Sequence, residues 1–448
     1  WSAAHVGASV VLIERQGALG GTSTLGGVNN WEPGIGGTGV AYRVYREMRK
    51  IPDAIGIYEH RRHCSWPKPW EKYTFPGGEL EINPCLIYGH TLRRYGPPGE
   101  EFTKKYRHGV VFEPEVMSQV MLRMLQETGR CQVLLNTAFV EAIHGDGEVS
   151  KVVLSDGRLV KATVFIDATD GVLCRQLGCA MMMGRDARSD FNEPGAPETP
   201  LKRLNGTTLL YRITPIGKNE KDLIEPLPEG VPEKCWWGSF PVAFIPSYPN
   251  GDRNINMLPT MKGEEAMALG YEQAYAECQR RVYAHWHNLQ KNYDEFRRYK
   301  LKMIFPALGI RETHRVKGEY VLKQQDLIAG VEQQGHADII AIADHPMDDH
   351  GGGGPGGEVK QPYGIPYRCL LPLNTKNVLI AGRGASFSSI AASSCRLSRT
   401  MMQLGEAAGV AASLAVKNNV ALREVDAAEI RQVMQSQIDQ APAPIFND

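Results

Sequence analysis

The chain has 448 residues, 42% hydrophobic and 22% charged, with 50 basic and 50 acidic side chains that cancel. This is an ordinary globular balance. It gives no basic excess to favour nucleic acid or an anionic membrane surface. No apolar run approaches the roughly 20 residues of a membrane span. Nine cysteines stand without CxxC spacing, which argues against a disulfide framework, a zinc ribbon or an iron–sulfur cluster and favours a reducing, cytoplasmic-type compartment.

The opening reads as a helix end closed by Gly7, then a short apolar strand, Val10 to Ile13, that stops at Glu14. Helix, glycine, continuous apolar strand and acid form the second half of a βαβ unit. Residue 1 is Trp, so the unit's first strand and its glycine loop are expected ahead of it. An acid in the place of Glu14 can accept hydrogen bonds from both ribose hydroxyls of a dinucleotide.

Residues 20 to 40 form a Gly-rich loop. Its first part, Leu19-Gly-Gly-Thr-Ser-Thr-Leu-Gly-Gly27, places backbone N–H groups and the Thr22 and Ser23 hydroxyls where they can meet an anion or a ring edge. A GxGxxG pattern also occurs at Gly34, Gly36 and Gly39. It follows Asn29-Asn-Trp-Glu-Pro33 rather than a buried strand, so it lacks the context of a phosphate loop. A helix is expected from about Val40 to Lys50. Residues 55 to 110 read as irregular, rich in Pro, Trp and Tyr.

Pro114 and Gly129 bracket a helix. Three strand signals follow: Gln132 to Ile143, Val149 to Leu154, and Arg158 to Ile166. The last two are joined by Ser155-Asp-Gly157, and the final strand runs into Asp167-Ala-Thr-Asp-Gly171. Residues 185 to 260 are Pro-rich with strand-like runs. Glu264 to Lys302 reads as a long charged helical region, with His285 and His287 on its surface. Asp348 to Pro362 is a second Gly-rich loop. Asn377 to Ala381 reads as a buried strand ending in glycines, and Ser398 to Asn418 as a small-residue helix. A helix N-terminus here can stabilise negative charge on a bound ring.

Several of these segments, in order along nearly the whole chain, resemble the FAD-dependent oxidoreductase family. They are Val11-Leu-Ile-Glu-Arg15, Leu19-Gly-Gly-Thr-Ser-Thr24, Phe165-Ile-Asp-Ala-Thr-Asp-Gly171, Gly309-Ile-Arg-Glu-Thr-His-Arg315, Tyr363-Gly-Ile-Pro-Tyr-Arg-Cys-Leu-Leu-Pro372, and Ala381-Gly-Arg-Gly-Ala-Ser386 with Leu404-Gly-Glu-Ala-Ala-Gly409. The resemblance implies an α/β fold: a Rossmann-like FAD-binding domain with a β-meander insertion, plus a mixed α+β substrate domain. The expected division is 1–180 and 365–448 for FAD, around a substrate domain at 181–364.

The resemblance also implies noncovalent FAD. Glu14 would hold the adenosine ribose, Gly21, Thr22 and Ser23 the pyrophosphate or flavin, and Val140 the adenine through its backbone. Thr169 and Gly171 would lie near the diphosphate, and Gly382, Arg383 and Ala408 near the ribityl chain and ring. Ser389-Ile-Ala-Ala-Ser393 departs from the family by lacking a His that many members carry.

FAD would carry the redox chemistry, leaving the protein to supply acids, bases and orientation. The catalytic candidates are Arg311 and His314, with Arg315, in one dense cationic run; His345 and His350 beside a Gly-rich loop; and Arg368. The run can equally be an ion-pair cluster with Glu312 and Glu319. Asp344, Asp348 and Asp349 lie near the two histidines, but the spacing fits no standard metal motif. Trp66, Trp70, Trp236 and Trp237 in Pro-rich segments suggest stacking on a sugar, hence a carbohydrate-like alcohol as substrate. The competing readings are a non-catalytic protein on a flavoprotein scaffold and an electron-transfer subunit.

Overall fold

A computed structural model describes residues 1–63, 75–97, 99–350 and 356–439. Two short parallel pairs carry the Rossmann-like part. Val10–Ile13 pairs with Cys131–Leu134, and Phe165–Asp167 pairs with Val378–Ile380. The second pair joins strands more than 200 residues apart, so it is the point where the two ends of the chain meet. The meander is present as expected: Phe139–Gly145, Glu148–Leu154 and Leu159–Val160 form a three-stranded antiparallel sheet. Gly157, at φ 83°, closes its second turn.

The helices flanking these strands have local causes. Pro114 opens the Pro114–Glu127 helix, where its missing N–H costs nothing, and Gly129 at φ 64° ends the turn behind it. The Ser398–Asn418 helix buries a run of small residues, Ala407 to Ala412. Its Gly409 lies against the Ser2–His5 helix, where a Cβ would stand 3.0 Å from the Ala3 nitrogen. The small side chains therefore serve helix–helix approach, and Ala408 is fully buried in the core.

The remaining sheet has eight strands. In spatial order they are Tyr299–Ile304, Tyr211–Pro215, Arg253–Met257, Ala243–Pro246, Gly77–Ile82, Ile55–His63, Gly109–Phe112 and Asn30–Trp31. The segment 55–110, read from sequence as irregular, supplies most of one half of this sheet. Residues 30–112 and 211–304 meet at one parallel contact, Ala243–Pro246 against Gly77–Leu80. Gly77 is required there, because a Cβ would lie 1.8 Å from the Ala243 carbonyl oxygen.

The region 264–302 is not one helix. Gly270, at φ 77°, divides Gly263–Leu269 from Tyr271–Asn292, and the segment ends as the strand Tyr299–Ile304. The longer helix lays Cys278, Val282, Trp286 and Leu289 on the sheet at helical spacing. His285 is not a surface residue. It is 0% exposed, with Nδ1 2.7 Å from the Tyr211 hydroxyl and Nε2 3.1 Å from the Pro241 carbonyl. Among the described residues, all cysteines are free, no acid, His or Cys cluster can hold a metal, and no helix is long and apolar enough to cross a membrane.

Candidate active site

A cavity of about 1600 Å3 opens between the Rossmann-like part and the eight-stranded sheet. Its walls come from three parts of the chain. The Gly-rich loop contributes Gly20, Thr22 and Ser23, and the C-terminal part contributes Arg383 and residues 396–402. The middle contributes Arg311, His345 and His350.

The cofactor candidates fall into two groups. Thr22, Ser23 and Arg383 line the cavity. Ser23 Oγ lies 3.2 Å from Ser398 Oγ and so ties the loop to the C-terminal helix. Arg383 is held by two hydrogen bonds to Asp170, of 2.9 and 2.8 Å, and by one to the Ile310 carbonyl. Glu14, Gly21, Val140, Thr169, Gly171, Gly382 and Ala408 do not line it. Glu14 ends its strand as expected, half-buried, and its Oε1 accepts from the Gln16 N–H at 2.8 Å. Val140 is 52% exposed at a register shift of the meander, its carbonyl bonded to Gln176.

Thr169 and Gly171 belong to a turn folded by Asp167. Its Oδ1 accepts from the Thr169 N–H and hydroxyl, and its Oδ2 from the Cys174 N–H. Gly171 at φ 81° caps the short helix that follows. The GxGxxG pattern proves to be a packing device. Gly36, Gly37 and Gly39 leave room for Gln403, Arg399 and Glu406, successive residues on one face of the Ser398–Asn418 helix. Gly39 also precedes the Val40–Arg49 helix.

Of the catalytic candidates, Arg311, His345 and His350 share the cavity wall, whereas His314 and Arg368 do not. His314 sits 3.2 Å from Arg175. Arg368 binds Asp338 through two nitrogens, each at 3.0 Å. Arg315 is an ion-pair residue, 1% exposed and bonded to Glu312 and Asp186, so this part of the cationic run is structural; Glu319 pairs instead with Arg423. Trp236 and Trp237 do not line the cavity, and Trp66 and Trp70 lie outside the described residues.

The two cavity histidines differ. His345 places Nε2 3.3 Å from Glu32 and Nδ1 2.8 Å from the Pro346 carbonyl. Both partners are acceptors. Burial opposes the Glu32 charge, but the hydrogen bond and charge of His345 outweigh it and hold the carboxyl at about 2. His350 has Nε2 2.6 Å from Asp348, and Asp348 also binds Arg396 at 2.9 Å. Burial, aided by Arg311, lowers the His350 pKa to about 4 against the pull of Asp348. Burial likewise opposes the Asp348 charge, yet His350 and Arg396 hold its carboxyl well below the usual range. With Nε2–H donated to Asp348, the neutral His350 ring carries its lone pair on Nδ1.

Sequence reasoning passed over Glu32, Arg396 and Arg399. One signal was present: Glu32 is the sole charged residue between Arg15 and Arg43. Arg399 is 5% exposed and reaches Thr91 and the Glu32 carbonyl. The first turn of the Ser398–Asn418 helix also opens on the cavity, and its N-cap, Leu397, offers no side-chain cap. Its leading N–H groups therefore favour negative charge there.

The FAD dependent oxidoreductase family matches residues 1–434. The chain belongs to this family. FAD is accordingly its cofactor. No curated protein matches it in sequence.

Solved structures align with nearly the whole chain at low identity. A geranylgeranyl bacteriochlorophyll reductase-like protein from Thermoplasma acidophilum is 11% identical with a TM-score of 0.44, over 98% of this chain and 78% of that one. PqsL of Pseudomonas aeruginosa, a probable FAD-dependent monooxygenase, is 12% identical with a TM-score of 0.35, over 98% and 90%. The myxobacterial chondrochloren halogenase CndH is 11% identical with a TM-score of 0.41, over 98% and 75%. The family assignment rests on the sequence match alone.

The residues present fit a flavin dinucleotide. Gly21 at φ 50° and Gly382 at φ 78° are chain neighbours of the lining residues Thr22 and Arg383, and a Cβ at either would meet open space. Such glycines allow a ligand to approach the backbone closely. The volume exceeds the roughly 300–1,000 Å3 of an ordinary small-ligand pocket and leaves space for cofactor and substrate together.

Proposed function

We propose that this cavity is the active site of an FAD-dependent oxidoreductase that moves a hydride between a small organic substrate and the flavin. One observation carries the reading. The cavity joins Thr22, Ser23 and Arg383, from the two ends of the chain, to Arg311, His345 and His350 from its middle. Thr22, Ser23 and Arg383 would hold the flavin side; Thr169, Gly171, Gly382 and Glu14, which do not line the cavity, would serve the rest of the dinucleotide outside it.

When bound, FAD supplies the two-electron acceptor or donor. The other roles fall to the chain's own side chains. His350 Nδ1 takes the proton from a substrate O–H or N–H as the hydride leaves the neighbouring carbon. In the reducing direction the same nitrogen returns it. Asp348 fixes the tautomer by accepting from Nε2. The His345–Glu32 pair lies close enough for its charges to act on Asp348, and the open helix N-terminus at Ser398 would stabilise negative charge on the flavin side.

The test is reconstitution of the full chain with FAD, read by the visible absorbance of oxidised flavin. Anaerobic bleaching of those bands is then followed with a panel of alcohols, acids and amines. Uptake of FAD and bleaching by a member of the panel are expected. A protein that takes up no FAD ends the reading.

A further inference from the structure

This inference rests on the reading of the cavity as a flavin-dependent active site and concerns what its substrate must be. Arg311 Nη1 donates to the Gly206 carbonyl and the Thr208 hydroxyl, each at 2.7 Å. Both Nη1 hydrogens are thereby used. The Nε–H and the adjacent Nη2–H remain, and this is the edge of a guanidinium that meets a carboxylate side-on with two parallel bonds. Among the described residues neither atom has an acceptor, and neither is sealed from the cavity.

The other cavity arginines differ. Among the described residues Arg107 also lines the cavity without a carboxylate partner, but it is exposed, whereas Arg311 is half-buried. Arg93, Arg383 and Arg396 have the carboxylates of Asp344, Asp170 and Asp348, and Arg399 is spent on Thr91 and a carbonyl. Among the described residues, Arg311 is the half-buried cavity arginine that no carboxylate neutralises directly. Its charge is also under-neutralised. Burial and the charge of Arg396 lower its pKa, offset only in part by Asp348 and Glu32. A guanidinium stays charged at neutral pH, so an anion in the fork relieves that cost.

One stretch of the wall is apolar. Val28, Val242, Phe244, Leu258 and Ile310 line it, half-buried and free of charge. Gly206 links Arg311 to the proposed base: its carbonyl accepts from Arg311 Nη1, and its N–H donates to the His350 carbonyl at 2.9 Å.

We propose that the substrate is an apolar carboxylic acid, its carboxylate on the Nε–Nη2 edge of Arg311 and its body along the Val242–Phe244–Leu258 wall. Two parallel N–H groups match the two coplanar oxygens of a carboxylate. A phosphate needs donors in more directions, and a sugar would leave the charge unanswered.

The experiment uses the full chain loaded with FAD, with loading read from the visible absorbance. Calorimetry then compares three probes: 3-phenylpropionate, its uncharged amide 3-phenylpropanamide, and inorganic phosphate. The acid is expected to bind at least about tenfold more tightly than the amide, as a charge-assisted pair requires, and more tightly than phosphate. Arg311→Gln should erase the preference for acid over amide. Arg311→Lys, which keeps charge without the fork, should restore only part of it.

Equal binding of acid and amide, stronger binding of phosphate, or an Arg311→Gln protein that keeps the preference would each overturn the proposal. Should Arg311→Gln fail to fold, the wild-type comparison of acid with amide still decides. Failure to load FAD strikes the flavoenzyme reading. Normal loading with no carboxylate preference strikes this inference alone.

Discussion

Ser23 Oγ and Ser398 Oγ lie 3.2 Å apart although 375 residues separate them in the chain. This contact fastens the N-terminal glycine loop to the start of the long C-terminal helix. It sets the two halves of the proposed cofactor wall against each other. Neither half is a site alone: one offers hydroxyls and open backbone, the other Arg383 and a helix N-terminus.

The loop side can be tested at Gly21. Its φ of 50° costs an L-residue about 1 kcal/mol, and the missing Cβ points into open space. Gly21→Ala should stay folded and lose FAD affinity by about tenfold or more. Titration of FAD fluorescence measures this. Unchanged affinity would remove the loop from the cofactor site.

The proton-handling side can be tested at Asp348. Asp348→Asn should keep FAD and Arg311-dependent binding but free His350 from a single tautomer. Reduction of the flavin by a bleaching substrate should slow about 100-fold or more in stopped-flow traces. A rate within a factor of two of wild type would assign the base elsewhere.

A third test addresses the sheet. At Gly77, a Cβ would stand 1.8 Å from a backbone carbonyl that no rotamer change can move. Gly77→Ala should therefore open the parallel contact with Ala243–Pro246 and cost about 3 kcal/mol or more. Thermal unfolding reads the loss. Because Leu80 and Phe244, one from each of these strands, line the cavity, a variant that survives should also bind apolar probes more weakly.

What the sequence revealed was what local chemistry decides. Val10–Ile13 and Val378–Ile380 are apolar runs closed by polar or glycine residues, and the Pro114–Glu127 helix carries its own start and stop. The strands Ile55–His63 and Gly77–Ile82 were hidden. They carry Glu59, Arg61, Arg62, Glu79 and Glu81, which look like loop until the ion pairs across the sheet are seen, such as Arg62 with Glu79 at 2.7 Å. Pairing with residues 243–257 is a long-range fact that no window of sequence contains. The same holds for the site. Arg311, His345 and His350 were chosen for their chemistry, but what sets Arg311 apart from Arg368 is that Asp338 occupies the fork of Arg368.

His285 shows the same limit and yields the last prediction. Its charged helix suggested solvent, yet Tyr211 and Pro241 bury it, and desolvation lowers its pKa to about 4 from 6.5. The unfolded chain thus takes up a proton before the folded one as pH falls. Stability from this group is fully present above about 6.5 and drains as pH drops toward 4, with a slope of up to about 1.4 kcal/mol per pH unit. His350, also near 4, acts in the same direction. Glu406 acts oppositely, because burial raises its carboxyl to about 7, so protonation favours the fold as pH falls through that value. The measurement is therefore a difference: urea unfolding of wild type and of His285→Gln at pH 7, 6, 5 and 4. The variant should start less stable, having lost the Tyr211–Pro241 bridge, and its stability should fall less steeply between pH 6.5 and 4. Parallel curves for the two proteins would show that His285 is not the neutral, doubly bonded ring described above.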